Sequence, residues 1–163
     1  MVDPKAEAPL RKMLGHAMRG ELDDLGTLIE DIGPQMYESA AALAITASGY
    51  IAVRTSKRWP TEADVKALAE HAATTTGAQV TRDEISAYLS RVVLGSESPL
   101  AVFDDATRAA VIPVFATAYL LLSFSGQYDD QWKYLDAIWN AIDAADQATP
   151  DVLPAMVFRF GRK

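Results

Sequence analysis

The chain contains no cysteine, and this absence removes several kinds of chemistry at once. It excludes a disulfide framework, a thiolate metal site and a cysteine nucleophile. Histidine occurs only twice, as His16 and His71, and neither belongs to an H-E-x-x-H motif. A P-loop, a G-x-G-x-x-G sequence and a G-x-S-x-G sequence are also missing. We therefore expect no cofactor and no bound metal, and the motifs do not indicate an enzyme.

A secretion signal is another feature that the sequence lacks. The N-terminus, M-V-D-P-K-A-E-A-P, has no apolar core segment, which makes the cytoplasm the expected location. The net charge of −7 opposes binding to nucleic acid and to an anionic membrane surface. The alanine-rich composition, with more arginine than lysine, is typical of high-GC bacterial genomes.

Charge is missing from one long segment, because no charged residue occurs from Ala109 to Tyr128. A membrane-spanning helix needs about 20 apolar residues, so the length of this segment is just sufficient. Pro113 interrupts it, however, and leaves roughly 18 Å of regular helix against an apolar bilayer core of about 30 Å. We therefore predict that the segment is the buried axis of a helical bundle and does not enter a membrane.

Apolar residues recur every three or four positions along most of the chain, and strand-like alternation is absent. Residues 9–32 form an amphipathic helical segment, which is either one bent helix or two helices broken near Gly20. Gly33-Pro34 ends this segment. A second helix over 34–54 consists mostly of small side chains, which allow neighbouring helices to approach closely.

The uncharged segment belongs to a predicted helix over about 105–125, which either kinks or restarts at Pro113. Together these elements predict an all-α, single-domain bundle of five to seven helices over residues 1–150. The helices at about 34–54 and 105–125 lie at its centre. Residues 151–163 are predicted to form a short, loosely held basic tail.

Two capping sequences mark helix starts between the central helices. Thr61 with Asp64 resembles a capping box, and Thr81 with Glu84 is a regular one. The two helices that follow are arranged in sequence like a helix-turn-helix motif. However, Asp83 and Glu84 lie at the start of the second helix, which would enter the DNA groove, and their negative charges would be repelled by the phosphate groups. Two packed helices joined by a loop are the favoured interpretation.

Several polar groups were considered as catalytic or metal-binding residues. Asp64 and His71 lie seven positions apart on one side of a helix, a spacing that is common by chance on a solvent-facing surface. The last predicted helix, about 129–145, carries a regular acidic row that is typical of an outer face: Asp129, Asp136 and Asp143. Glu38, just before the uncharged part of its helix, is either an acid with a raised pKa or a first-turn charge, and the second is favoured.

Aromatic side chains concentrate late in the chain. Trp132 and Trp139 are two helical turns apart and share a face, and Tyr119 lies in the uncharged segment. Such rings line small-molecule pockets and also fill ordinary cores, and filling the core is the favoured interpretation. The candidate ligand-binding residues are Glu38, Tyr119, Trp132 and Trp139, around an apolar pocket between the last two helices.

Three functions are consistent with this pattern. The favoured one is a soluble cytoplasmic interaction or regulatory module that acts by binding, with a homodimer formed through the N-terminal amphipathic segment. The first alternative is a helical domain that binds an apolar small molecule. The second is a small enzyme of unidentified chemistry that uses Glu38 or His71.

Overall fold

The computed structural model describes residues 2–75, 80–95, 99 and 106–147. Within these ranges the chain forms helices and no strands. The helices are α1 (Pro4–Met18), α2 (Leu22–Ser56), α3 (Glu62–Thr75), α4 (Arg82–Val93), α5 (Ala106–Phe124) and α6 (Gln131–Gln147). The prediction of an all-α bundle of five to seven helices is confirmed. The basic tail predicted over 151–163 lies outside the described ranges.

The N-terminal segment consists of two helices. Asp3 caps α1 by accepting a hydrogen bond from the backbone N–H of Lys5 at 2.9 Å. α1 ends beside Gly20, which has a φ of 71°, a conformation that favours glycine because a side chain would be strained there. Of the two alternatives left open for residues 9–32, the structure has a break near Gly20.

The boundary that Gly33-Pro34 predicted is present as a sharp bend within α2. Gly33 has the non-helical angles φ 83° and ψ 165°, so α2 bends sharply at this residue without an intervening loop. The reason is local: glycine accepts a positive φ, and Pro34 is suited to begin a new helical turn at once. We call residues 22–32 the first arm of α2 and residues 34–56 its second arm.

α5 is the most deeply buried helix of the described chain. It does not restart at Pro113 but runs as one element from Ala106 to Phe124. All of its residues from Val111 to Leu121 are buried. Among the described helices, none is both long enough and apolar enough to cross a membrane.

A buried group of three hydroxyls joins the second arm of α2 to α4 and α5. The Ser48 and Thr117 hydroxyls lie 2.6 Å apart, and the Tyr88 hydroxyl donates to Ser48 at 3.2 Å. Thr117 also lies 3.0 Å from the carbonyl oxygen of Ala44, which brings α5 against the backbone of α2. Because these hydroxyls satisfy one another inside an apolar core, they fix the register of the two central helices.

Both predicted capping sequences are present. The Thr61 hydroxyl accepts from the N–H of Asp64 at 3.2 Å, and Asp64 accepts in return from the N–H of Thr61 at 2.9 Å. Thr81 and Glu84 make the equivalent reciprocal pair at the start of α4. Glu84 also accepts from the Arg108 side chain of α5, with a distance of 3.0 Å to Nε.

Glu84→Gln is expected to make the free energy of unfolding depend less on pH in the acid range. Burial raises the pKa of Glu84, but the hydrogen bonds from Arg108 and Thr81 outweigh it, so the pKa lies below the ordinary 4.5. The stability that this carboxylate contributes is complete above that ordinary value and is lost as the pH falls through the lower pKa of the folded state. The substitution should remove about 1 kcal/mol near neutral pH and less in acid.

Urea unfolding at several pH values from about 7 down to about 3 measures this effect. Glu70→Gln, which alters an exposed carboxylate on α3, is the matched control. Equal losses of stability for Glu84→Gln at neutral and at acid pH would contradict the assigned role of this carboxylate.

Candidate functional site

Trp132 and Trp139 of α6 pack against α1. The indole N–H of Trp139 donates to the Glu7 carboxylate at 3.1 Å, and the Arg11 guanidinium lies over the Trp132 ring, 5.5 Å from its centroid. Arg11 also donates to Glu7, with 2.8 Å between Nε and Oε1. The two indoles therefore hold the first helix in place, and their polar partners are residues of α1.

The acidic row on α6 takes part in the same contact. Asp136 accepts from Arg11 at 2.8 Å, and Asp143 accepts from the backbone N–H of Val2, also at 2.8 Å. Asp129 lies just before α6 and instead pairs with Lys133 in the first turn of that helix. Asp136 remains 58% exposed, so the row does face solvent, but two of its three members also bind the N-terminal residues of the chain. The acidic row is therefore a solvent-facing surface, as its spacing predicted, and also part of the contact with the N-terminal residues.

The other two predicted ligand-binding residues have different surroundings. The Tyr119 side chain is 1% exposed and makes an edge contact with Phe115, with 5.8 Å between ring centroids. Glu38 is exposed in the second arm of α2. Its neighbour Tyr37 donates to the carbonyl of Ala110, and burial raises the pKa of this phenol to about 12. The apolar pocket between α5 and α6 stays a prediction.

Asp64 and His71, the other candidate pair, have separate partners. Asp64 accepts from the backbone N–H of Thr61 and from Arg58 at 2.8 Å, and these contacts, with that of Thr61 the largest, outweigh burial and lower the pKa of Asp64. The His71 ring stacks on Phe124, with 4.9 Å between centroids. Of the two histidines, His16 is the one that lies close to two carboxylates.

Two surface clefts of about 270 and 280 Å³ lie between α3 and α4. Both are lined by Glu70, Arg82 and Asp83, and Lys66 contributes to one of them. Their walls therefore carry charges of both signs, and Arg82 lies 3.6 Å from Asp83. Because both signs are present, neither cleft is suited to a ligand that is purely anionic or purely cationic.

The turn between α1 and α2 brings four charged or titratable side chains together. His16 Nδ1 lies 2.9 Å from Glu21 Oε1, and Arg19 Nε donates to the same oxygen at 2.8 Å. Asp24 lies one turn further along α2, and its carboxylate is within 4.8 Å of the ligand atoms of His16 and Glu21. The hydrogen bonds from His16 and Arg19 lower the pKa of Glu21 and keep it ionised. We call these four residues the hairpin corner.

The first arm of α2 buries its apolar side chains only in part. Leu25 is fully buried, whereas Leu22 is 37% exposed and Ile29 is only partly buried. Gly26 lies between Leu22 and Ile29 on the helix surface, and a Cβ atom built on it would meet no atom within 4 Å. We call Leu22, Gly26 and Ile29 the hairpin edge.

The hairpin edge contains Leu22, the large apolar side chain of residues 9–32 that is most exposed, whereas Ile29 is partly buried like Leu28 and Ile32. The apolar side chains of α1 are buried within the same chain: Leu10, Met13, Leu14 and Ala17. Sequence periodicity does not distinguish buried from accessible apolar residues within 9–32. It missed this division because burial depends on how α1 packs against α2 and α5.

The fold and these surfaces define a small helical bundle with a polar corner and an accessible apolar edge at one end. Searches of protein families, curated proteins and solved structures found no match to this chain.

Proposed function

We propose that this chain is a cytoplasmic interaction module that acts by binding rather than by catalysis. Its binding partner is a second copy of the chain, and the contact is formed by the hairpin edge of each copy. The observation that carries the proposal is Gly26, a glycine inside a helix whose missing side chain faces open space.

A glycine inside a helix costs about 1 kcal/mol relative to alanine. At Gly20 and Gly33 the positive φ accounts for the residue, but Gly26 has ordinary helical geometry and room for a methyl group. The fold of one copy therefore gives no reason for glycine at this position. A second helix packing across the arm would give one, because a residue without a side chain allows two backbones to approach closely.

The flanking residues suit such a contact. Leu22 and Ile29 lie seven positions apart and provide apolar side chains on either side of Gly26, as ridges flank a groove in packed helices. In a twofold contact the same patch is used by both copies, so one small edge supplies both halves of the interface. Association of this kind buries side chains that one copy leaves in water.

Charge should weaken the pairing at low ionic strength. Each copy has a net charge of −7, and Asp23 and Glu30 are exposed on the same arm as the hairpin edge. Like charges on two approaching copies repel, and salt screens this repulsion over about 10 Å at 0.1 M. An apolar contact between identical acidic chains should therefore become tighter as salt is added.

Light scattering over a range of concentrations tests the proposal. We expect the native chain to approach twice its mass of 17.7 kDa. Leu22→Glu and Gly26→Leu should each raise the dimer dissociation constant by about tenfold or more, which corresponds to 1.4 kcal/mol. Leu94→Glu is the matched control, because Leu94 is a similarly exposed leucine, at 40%, that lies at the end of α4 and outside the hairpin edge.

Gly26→Ala separates the dimer from the fold. The substitution should raise the stability of the dissociated chain by up to about 1 kcal/mol, because alanine favours the helix and meets no neighbour. It should weaken association at the same time. A native chain that stays monomeric at near-millimolar concentration, or a dimer that Leu22→Glu leaves unchanged, would overturn the proposal.

A further inference from the structure

We propose that the hairpin corner binds a divalent transition-metal ion of the Zn²⁺ class through His16, Glu21 and Asp24. The inference goes beyond the proposed pairing of two copies and does not depend on it. It rests on three ligand atoms of the right chemical types, which the turn between α1 and α2 holds within 4.8 Å of one another.

The backbone of the turn creates this arrangement. The left-handed conformation of Gly20 reverses the chain so tightly that the N–H of Glu21 donates to the carbonyl of His16 at 2.9 Å. Glu21 immediately precedes α2 and Asp24 lies in the first turn of that helix, so both carboxylates lie at the same end of α2 as His16. The fully buried side chains of Ala17 and Leu25 anchor the two sides of the turn. Ligands supported in this way lose little freedom when an ion binds.

The donor set selects the class of ion. One imidazole nitrogen and two carboxylate oxygens suit Zn²⁺ and its neighbours among the first-row metals, whereas Mg²⁺ and Ca²⁺ prefer oxygen ligands alone. Ligand bonds to zinc measure about 2.0–2.2 Å, so neighbouring ligand atoms must lie roughly 3–4 Å apart. His16 and Glu21 already meet this requirement, and a rotation of the exposed Asp24 side chain completes it.

Arg19 supplies the positive charge of the hairpin corner when no metal ion is bound. Its Nε donates to Glu21 at 2.8 Å, and its Nη2 lies 3.4 Å from His16 Nδ1. The guanidinium therefore bonds to one of the three groups that would bind the metal and lies close to a second. Because the Arg19 side chain is 58% exposed, it can turn into solvent when an ion takes its place. Arginine and metal compete for the same carboxylate, and this competition makes the proposal testable.

Isothermal titration of ZnCl₂ into the full chain is the direct test. We expect one ion per chain, and binding at least about tenfold weaker in His16→Gln and in Asp24→Asn. Arg19→Gln should bind Zn²⁺ more tightly than the native chain, because the competing cation is gone. His71→Gln is the matched control, since it removes the other histidine of the chain and leaves the hairpin corner intact.

The same titration in Gly26→Leu separates metal binding from self-association, because this variant alters the hairpin edge and none of the three ligands. Unchanged affinity in Gly26→Leu supports a site within one chain. Circular dichroism of each variant checks that its helices remain folded. No binding by the native chain at millimolar Zn²⁺, equal binding by His16→Gln, or weaker binding by Arg19→Gln would each overturn the proposal.

Discussion

Phe115→Ala should lower the free energy of unfolding by about 3–5 kcal/mol, a large part of the 5–15 kcal/mol that is typical of a domain. Phe115 is fully buried on α5, the central helix, and its ring packs against Tyr119 one turn later. Removing the ring takes away apolar contacts and leaves a cavity that the surrounding helices cannot fill completely.

Urea unfolding at neutral pH measures this loss. Phe124→Ala is the matched control, because Phe124 lies on the same helix but is only partly buried, against the exposed His71. The control should cost much less. Equal losses for the two variants would contradict the placement of α5 as the buried axis.

Ala44→Leu is expected to destabilise the fold by about 1–3 kcal/mol through overpacking. Ala44 is fully buried, and its carbonyl oxygen lies 3.0 Å from the Thr117 hydroxyl, so α2 and α5 are in close contact at this point. Alanine and leucine have similar helix propensities, and the loss therefore measures packing rather than helix formation.

Ala42→Leu is the control for this second prediction, since Ala42 is on the same helix and only partly buried. Thermal unfolding followed by circular dichroism compares the two variants. If Ala44→Leu were as stable as Ala42→Leu, the two central helices would be further apart at Ala44 than the structure has them.

The capping residues were predictable because their partners are local. Thr81 and Glu84 are three positions apart, and the motif they form depends on that spacing alone. The break at Gly20 and the bend at Gly33 also follow from local backbone preferences. Sequence could not decide whether Pro113 ends a helix, because that outcome depends on packing around α5.

The role of α6 could not be predicted from the sequence, because the residues that it contacts are far away along the chain. Trp139 and its partner Glu7 are 132 positions apart, and Asp136 and Arg11 are 125 apart. Nothing in the periodicity of α6 indicates that α1 will bind there. The indoles of Trp132 and Trp139 could therefore be predicted only to fill the core or to line a pocket, and not to contact the polar side chains of α1 that they meet in the structure.

The hairpin corner was not predicted from the sequence, because His16 has no carboxylate at helical spacing that would mark it together with Glu21 and Asp24. Only the left-handed residue between them brings His16 and Glu21 to 2.9 Å. A glycine in a tight turn between a histidine and two carboxylates is the signal that would have found this cluster.

Hydrogen exchange of the native chain at two concentrations tests the central claim, that the hairpin edge pairs two copies. Peptides that contain residues 22–32 should exchange more slowly at near-millimolar than at low-micromolar concentration, because the paired arm opens less often. Peptides from α4 should exchange equally at both. Exchange of residues 22–32 that does not depend on concentration, or added protection on α4 instead, would contradict the account.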